Sequence, residues 1–165
     1  MGREMKTFKK SGKGELGFTL IEMMVVIGIL VIITSIAIPN FMSLLPGIRL
    51  NGAARQVMGD LMAARMKAVK LNKNTQVFFD SGGIQYKICN DDADSGTTVY
   101  DGEGDVENRN IQTNYHDVSF SSNVNPSFSP RGTANSWGTI TLTNSESKQK
   151  KVVVLITGRV KIEDV

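Results

Sequence analysis

Hydrophobic residues are concentrated in one long run near the start of the chain. Between Phe18 and Ile38 about 21 residues would rise roughly 32 Å as a helix, which is about the thickness of the hydrocarbon core of a bilayer. The pattern therefore predicts a membrane-spanning helix. The run contains four polar residues, Thr19, Glu22, Thr34 and Ser35.

After Pro46 and Gly47 the pattern becomes amphipathic, with apolar residues at helical spacing. It predicts a helix over about 48–73 that packs on a folded head. The apolar stripe comprises Leu50, Ala54, Val57, Leu61, Ala64, Ala68 and Leu71, with Met58 and Met62 as core filler. The opposite face has one acid, Asp60, and is basic; we interpret it as solvated surface, with contact to acidic neighbours as the alternative. Its cations are Arg49, Arg55, Arg65, Lys67, Lys70 and Lys73.

From Thr75 onward the pattern predicts antiparallel strands. TQVFFD and IQYKICN flank Ser81-Gly82-Gly83 and predict a hairpin, and VSFSS, GTITLTN and KKVVVLITG predict further strands. The last is a continuous apolar run, which favours burial on both faces. A long helix packed on an antiparallel β-sheet or β-sandwich head is an α+β fold. The acidic, glycine-rich segment 91–107 lacks the spacing of an EF-hand loop, so we predict no metal site there.

Charge identifies the orientation of the membrane segment. Residues 1–17 carry five basic and two acidic residues, and the remaining chain balances 14 against 14. A basic cluster ahead of the apolar run predicts a cytoplasmic N-terminus and an exported head. The apolar stretch is too long for a conventional secretory signal, and its small residue, Gly17, precedes it. This placement predicts removal of a leader, 1–17, on the cytoplasmic side.

Glu22 is the one carboxylate in the apolar run, and two interpretations of it stay open on the residues alone. It can be a boundary residue of a simple membrane anchor. It can also be a partner charge, the default for an ionisable group in a membrane segment. If the chain is cut after Gly17, Phe18 gains an ammonium group, which a neighbouring copy could offer to Glu22. The second interpretation predicts self-association.

The stretch Gly17-Phe18-Thr19-Leu20-Ile21-Glu22, after a short basic leader, resembles the class III signal of type IV pilins and type II secretion pseudopilins. The resemblance implies that a prepilin peptidase, which is also a methyltransferase, cuts between Gly17 and Phe18 and methylates the amine of Phe18. It implies that Glu22 and Phe18 guide docking in a filament at the bacterial inner membrane, with the head on the periplasmic side. The partners implied are other pilins or pseudopilins, that peptidase and the inner membrane.

Pro39 interrupts the helical pattern and removes one backbone hydrogen bond, so we predict a break or kink there. The break can simply mark the end of the membrane span. In pilins, a proline at this distance is associated with helix melting in the filament. The predicted divisions are a leader 1–17, a transmembrane and assembly helix 18–46, and an exported head 47–165.

The order of elements in the head is similar to that of GspH/FimT-type minor pseudopilins and minor pilins. Phe128, Pro130, Gly132 and Gly158-Arg159 fall where the pattern of that branch expects them. The resemblance implies a β-sandwich packed on the helix. It also implies a structural function, in which a minor subunit joins or primes the filament.

The sequence also bears on two other functions, DNA binding and catalysis. Some FimT-type proteins bind DNA through a Gly-Arg-any-Arg motif, and this chain has Gly158-Arg159-Val160-Lys161, which makes Arg159 and Lys161 candidate DNA contacts. The alternative, which we favour, is a strand-terminating glycine followed by solvent-facing charges. An enzyme is disfavoured because one His116, one Cys89 and no hydrolase or zinc motif leave no catalytic arrangement. We predict no cofactor, and we interpret Trp137 as a packed aromatic.

Overall fold

A computed structural model of the chain describes residues 17–90 and 106–165. The chain divides between Met42 and Ser43 into two units. We call residues 17–42 the stem and residues 43–165 the head. One α-helix, α1, Leu20–Leu71, contributes residues to both units.

Helix α1 continues through Pro39 and Pro46, so the helix does not end at Pro39 in the single chain, whereas a kink there stays a prediction. A proline removes one N–H and crowds the preceding turn, whereas the residues around it keep their own hydrogen bonds. The transmembrane and amphipathic helices predicted separately are therefore one element of 52 residues. Melting at Pro39 inside a filament stays a prediction.

Two antiparallel sheets form the rest of the head. The strands are β1 Thr75–Phe79, β2 Gln85–Asn90, β3 Val106–Asn110, β4 Val118–Ser122, β5 Ser127–Phe128, β6 Ala134–Ser136, β7 Gly138–Asn144, β8 Gln149–Val154 and β9 Val160–Asp164. The first sheet has the order β3-β2-β1-β5-β6 and the second has the order β4-β7-β8-β9. A short 3-10 helix, Ile111–Thr113, follows β3.

The core lies between α1 and both sheets. The helix contributes a buried stripe that includes four alanines. Phe79, Tyr86 and Phe120 form an aromatic cluster with ring centroids 5.1–6.0 Å apart. The buried helix residues are Leu50, Ala53, Ala54, Val57, Leu61, Ala64 and Ala68. Leu71 and Met62, which the sequence predicted in this stripe, are 43% and 39% exposed.

The β1–β2 hairpin connects the two sheets. Its turn includes Gly83 at φ +70°, and the carbonyl of Gly83 accepts a hydrogen bond from the amide of Phe120 in β4 at 2.8 Å. A Cβ on Gly83 would lie 2.6 Å from the Phe120 carbonyl oxygen, so only glycine fits this contact.

Strand β8 is buried on one face only, which corrects the predicted burial on both faces. Val152 and Val154 are buried, whereas Lys151 and Val153, which alternate with them, are partly exposed. The second sheet has the core on one side and no described layer on the other, so the period-2 alternation of a half-buried strand applies. The apolar run also ends in a turn after Val154, and the chain returns as β9.

Candidate functional site

The membrane-proximal signal lies at the very start of α1. Gly17, Phe18 and Thr19 are outside the helix, which begins at Leu20. The carbonyl of Thr19 accepts a hydrogen bond from the amide of Met23 at 3.2 Å, and its hydroxyl oxygen accepts one from the amide of Glu22 at 3.2 Å. Thr19 is therefore the N-cap of the helix, and the Glu22 carboxylate belongs to its first turn.

The stem presents an apolar surface on all sides. Every residue from Gly17 to Leu44 is exposed, and α1 includes an 18-residue window of mean hydropathy 2.7 with none of that window buried. Its two mid-stem hydroxyls are bonded within the helix: Thr34 donates to the carbonyl of Leu30 at 2.8 Å and Ser35 to that of Ile32 at 2.7 Å. Glu22 is the only charged residue between Gly17 and Ile48.

An arginine attaches α1 to two glycine turns of the head. Arg65 Nε donates to the carbonyl of Gly132 at 2.7 Å. Gly132 and Gly158 have φ values of +79° and +76°, and a Cβ on Gly158 would lie 2.0 Å from the Gly132 oxygen. These are the two glycines that the resemblance to GspH/FimT-type proteins singled out. Their physical role is to bring both turns into contact with the helix.

A second polar cluster connects α1 to the first sheet. The hydroxyl of Tyr86 in β2 donates to Asp60 of α1, and Arg109 Nε in β3 lies 3.9 Å from the same carboxylate. Burial raises the pKa of the Tyr86 phenol well above its usual range, and the Asp60 carboxylate reinforces that shift. Next to them, Lys67 Nζ lies 3.1 Å from Glu107 Oε1. In the sequence, the one feature that could have indicated this cluster is Asp60, the single acid on the basic face of the helix.

The basic face of α1 is therefore only partly solvated surface, and the prediction needs correction. Arg49 Nη1 lies 3.5 Å from the carboxylate of Asp117, which is 10% exposed, and Arg65 and Lys67 also contact the head. Arg55 and Lys70 are exposed, as predicted. Spacing along one helix cannot show which loops of the head reach over its flanks, so sequence reasoning missed these contacts.

The candidate DNA residues occupy different environments. Arg159 is exposed in the turn between β8 and β9, whereas the ammonium of Lys161 in β9 pairs with Glu163. The neighbouring lysines are also paired: Lys148 Nζ lies 2.9 Å from Glu146, and Lys150 contacts Asp164. Only Arg159 of the predicted motif is thus free of a described acidic partner.

Arg159 belongs to a group of cations that we call the basic end. It consists of the segments 65–74, 129–138 and 154–160, which come together through the contacts of Arg65, Gly132 and Gly158. These segments contain no aspartate or glutamate. Trp137 and Ile156 in the same segments are 52% and 57% exposed, so the prediction that Trp137 is packed is wrong. The cations are Arg65, Lys67, Lys70, Lys73, Arg131 and Arg159.

Within residues 17–90 and 106–165, no three His, Cys, Asp or Glu side chains are grouped to hold a metal ion. His116 is exposed, and Cys89 is buried, which raises the pKa of its thiol. Most of the acidic segment 91–107 lies outside the described residues, which resume at Val106.

Comparisons with known proteins agree with this architecture. The head resembles the minor pseudopilin EpsH from the type 2 secretion system of Vibrio cholerae, with a TM-score of 0.53, 10% sequence identity, and coverage of 70% of this chain and 97% of that one. It also resembles the type IV minor pilin FimU of Pseudomonas aeruginosa, with a TM-score of 0.50, 14% identity, and coverage of 69% and 87%. At these identities the likeness shows the fold, which confirms the predicted pilin-like α+β class.

Family models define the chain more closely. The model described as type II transport protein GspH matches residues 53–158, and the model described as prokaryotic N-terminal methylation motif matches residues 12–38. Because the first match covers more than half of the chain, the chain belongs to the GspH family. The predicted membership among pilins and pseudopilins is confirmed, and the family is one of structural subunits. No curated protein sequence matches the chain.

Proposed function

We propose that this chain is a minor subunit that joins or primes an inner-membrane-anchored filament, either a type II secretion pseudopilus or a type IV pilus. Family membership supports the class of protein. The observation that carries the proposal is the contrast between a head with its own buried core and a stem in which every residue is exposed. An apolar surface of that size needs lipid or other subunits to cover it.

The proposal includes processing at the N-terminus. The peptidase would remove residues 1–17 and leave Phe18 as the methylated first residue of a chain with a cytoplasmic N-terminus and an exported head. The match of residues 12–38 to the methylation motif supports this step. Gly17 and Phe18 are exposed and non-helical, so the bond between them is accessible. Mass spectrometry of the mature N-terminus tests it directly, and retention of residues 1–17 would contradict it.

We assign filament docking to Glu22 together with the new ammonium of Phe18 in a neighbouring subunit. Two unit charges 4 Å apart attract by about 4 kcal/mol at an effective dielectric constant of 20, from which the desolvation of both ions must be subtracted. Thr34 and Ser35 already bond to carbonyls of their own helix. Glu22 is therefore the stem side chain whose polar group most requires a partner in an apolar environment.

The experiment compares Glu22→Val with Thr34→Val, which removes a polar group from the same helix without removing a charge. Both variants should insert into the membrane as the wild type does, which carbonate extraction measures. Glu22→Val should lower the amount recovered in the filament fraction about tenfold, equivalent to about 1.4 kcal/mol. Thr34→Val should leave it unchanged. Equal recovery of both variants would remove the docking role of Glu22.

A second candidate function is DNA binding by the basic end during DNA uptake. The supporting observation is the group of six cations, of which Lys67 is paired with Glu107, in segments without an acid and beside the exposed Trp137. Phosphate contacts from arginine and lysine with a stacking aromatic suit single-stranded nucleic acid. The balance of 14 basic and 14 acidic residues after residue 17 weighs against it. We therefore rank it second.

A gel-shift experiment with the head, residues 43–165, tests the second candidate. Arg131→Ala with Arg159→Ala removes two exposed cations of the basic end. Lys148→Ala with Lys161→Ala is the matched control, because both lysines are paired with acids elsewhere. DNA binding would give a salt-sensitive shift that the first pair abolishes and the control pair retains. Absence of a shift at low salt would exclude this function.

A further inference from the structure

Thr19 occupies the boundary between the membrane helix and the proposed cleavage site. The described chain is non-helical at Gly17, Phe18 and Thr19 and helical from Leu20 onward. The Thr19 carbonyl accepts the first hydrogen bond of the helix, from Met23, and its side-chain oxygen accepts the amide of Glu22. These two contacts are those of an N-cap residue.

The residue order strengthens this boundary. A threonine followed three residues later by glutamate is the pattern of a capping box, and Glu22 occupies that third position. A negative charge in the first turn is also favoured by the helix dipole. The amides at a helix N-terminus cannot bond to water in an apolar environment. A side chain that accepts a hydrogen bond from one of them therefore stabilises the helix more there than at a water-exposed surface.

We propose that Thr19 is a positioning residue for removal of the leader, because its cap ends the helix two residues after the Gly17–Phe18 bond. The inference rests on the processing step proposed above. Cleavage adds one water across that bond, forming a carboxylate on Gly17 and an ammonium on Phe18. The peptidase must reach the carbonyl carbon of Gly17, which is shielded when the backbone around it is helical.

Loss of the cap changes where the helix begins. Without the Thr19 oxygen, the amide of Glu22 lacks its acceptor outside the helix. The remaining internal acceptor is the carbonyl of Phe18, four residues upstream, and extension of the helix through Phe18 also pairs the amide of Ile21 with the carbonyl of Gly17. The scissile bond then enters the helix, and cleavage slows. Because the slower cleavage results from a change in backbone conformation, the cleavage rate should depend on how well residue 19 caps the helix and not on the shape of its side chain.

Three substitutions separate capping from shape. Thr19→Val keeps the shape and removes the acceptor, whereas Thr19→Ser and Thr19→Asn keep an acceptor with a different shape. Full-length protein in liposomes is incubated with prepilin peptidase, and mass spectrometry follows release of residues 1–17. We expect Thr19→Val to be cut about five to ten times more slowly than the wild type, and the other two within about twofold of it. The reverse order, with valine cut fastest of the three, overturns the proposal.

Amide hydrogen exchange in detergent micelles, without peptidase, provides the second measurement. In the Thr19→Val variant, protection should extend to the amide of Ile21, whose acceptor in the longer helix is the carbonyl of Gly17, whereas the serine and asparagine variants should keep the wild-type boundary. Slow cleavage of the valine variant with an unchanged boundary overturns the proposal, because the peptidase would then bind the side chain itself. Failure to cut the wild type contradicts the processing step, whereas equal cutting of all variants contradicts only the role of Thr19.

Discussion

The stem and the head differ in how their apolar surface is covered. The head buries a stripe of α1 between two sheets and secures the flanks of the helix with Arg65 and Asp60. The stem buries nothing, and its hydroxyls bond to its own backbone. One half of the chain therefore completes its structure alone, and the other requires lipid or neighbouring subunits.

This difference predicts where substitutions act. Changes in the head should alter its folding free energy and leave membrane insertion intact. Changes in the stem should alter insertion, processing or assembly and leave the head folded. The following predictions test this separation, beginning with the largest expected effect.

Gly158→Ala should unfold the head or destabilise it by about 3 kcal/mol or more. The added Cβ would lie 2.0 Å from the Gly132 carbonyl oxygen, at a φ of +76° that alanine rarely adopts. Urea denaturation of residues 43–165 measures the change. Gly59→Ala is the matched control, because its Cβ meets nothing within 4 Å, and alanine should stabilise the helix there by about 0.5–1 kcal/mol. Equal stability of the two variants would contradict the close contact of the turns.

Tyr86→Phe should cost about 1–2 kcal/mol, because Asp60 loses the hydroxyl that donates to it. Burial raises the pKa of Tyr86 above its ordinary value of about 10, so the folded head favours the neutral phenol. That stabilisation is complete below about pH 10 and is lost as the pH rises above it. The advantage of the wild type over Tyr86→Phe should therefore shrink above about pH 10.

Denaturation midpoints of both proteins between about pH 8 and pH 11 measure this advantage. The lysines titrate in the same range in both proteins, so their contribution cancels in the difference. If the stability difference between the wild type and Tyr86→Phe stayed constant to pH 11, the neutral form of the Tyr86 phenol would not be what stabilises the head.

Removal of the stem should have the smallest effect. None of the described residues from Gly17 to Arg49 belongs to the buried core, so residues 43–165 should unfold within about 1 kcal/mol of the full chain in detergent. Thermal and urea unfolding of the two proteins give the comparison. A loss of more than about 2 kcal/mol would mean that the stem contributes to the fold of the head.

The sequence predicted the features that depend on periodicity. The apolar run, the alternation of β7 and the helical stripe from Leu50 to Ala68 are each visible along the chain, and the structure contains them. The class III signal was equally readable, because its residues are contiguous. These features could be predicted because each depends only on residues that are close together in the sequence.

The remaining features depend on contacts between distant residues. The two-residue strand β5 and the three-residue strand β6 are too short to show a period. The contact of Arg65 with Gly132 joins residues 67 positions apart, and no local pattern indicates it. The continuity of α1 at Pro39 is also not visible locally, because a single missing hydrogen bond does not end a helix that is otherwise complete.

The single buried cysteine gives the molecule a practical advantage. Cys89 is shielded in β2, and its raised pKa leaves little reactive thiolate at neutral pH. A cysteine introduced at an exposed head position such as Thr133 would then be the dominant target for a maleimide dye. Fluorescent tracking of the subunit in living cells would require one substitution and no prior removal of a native thiol.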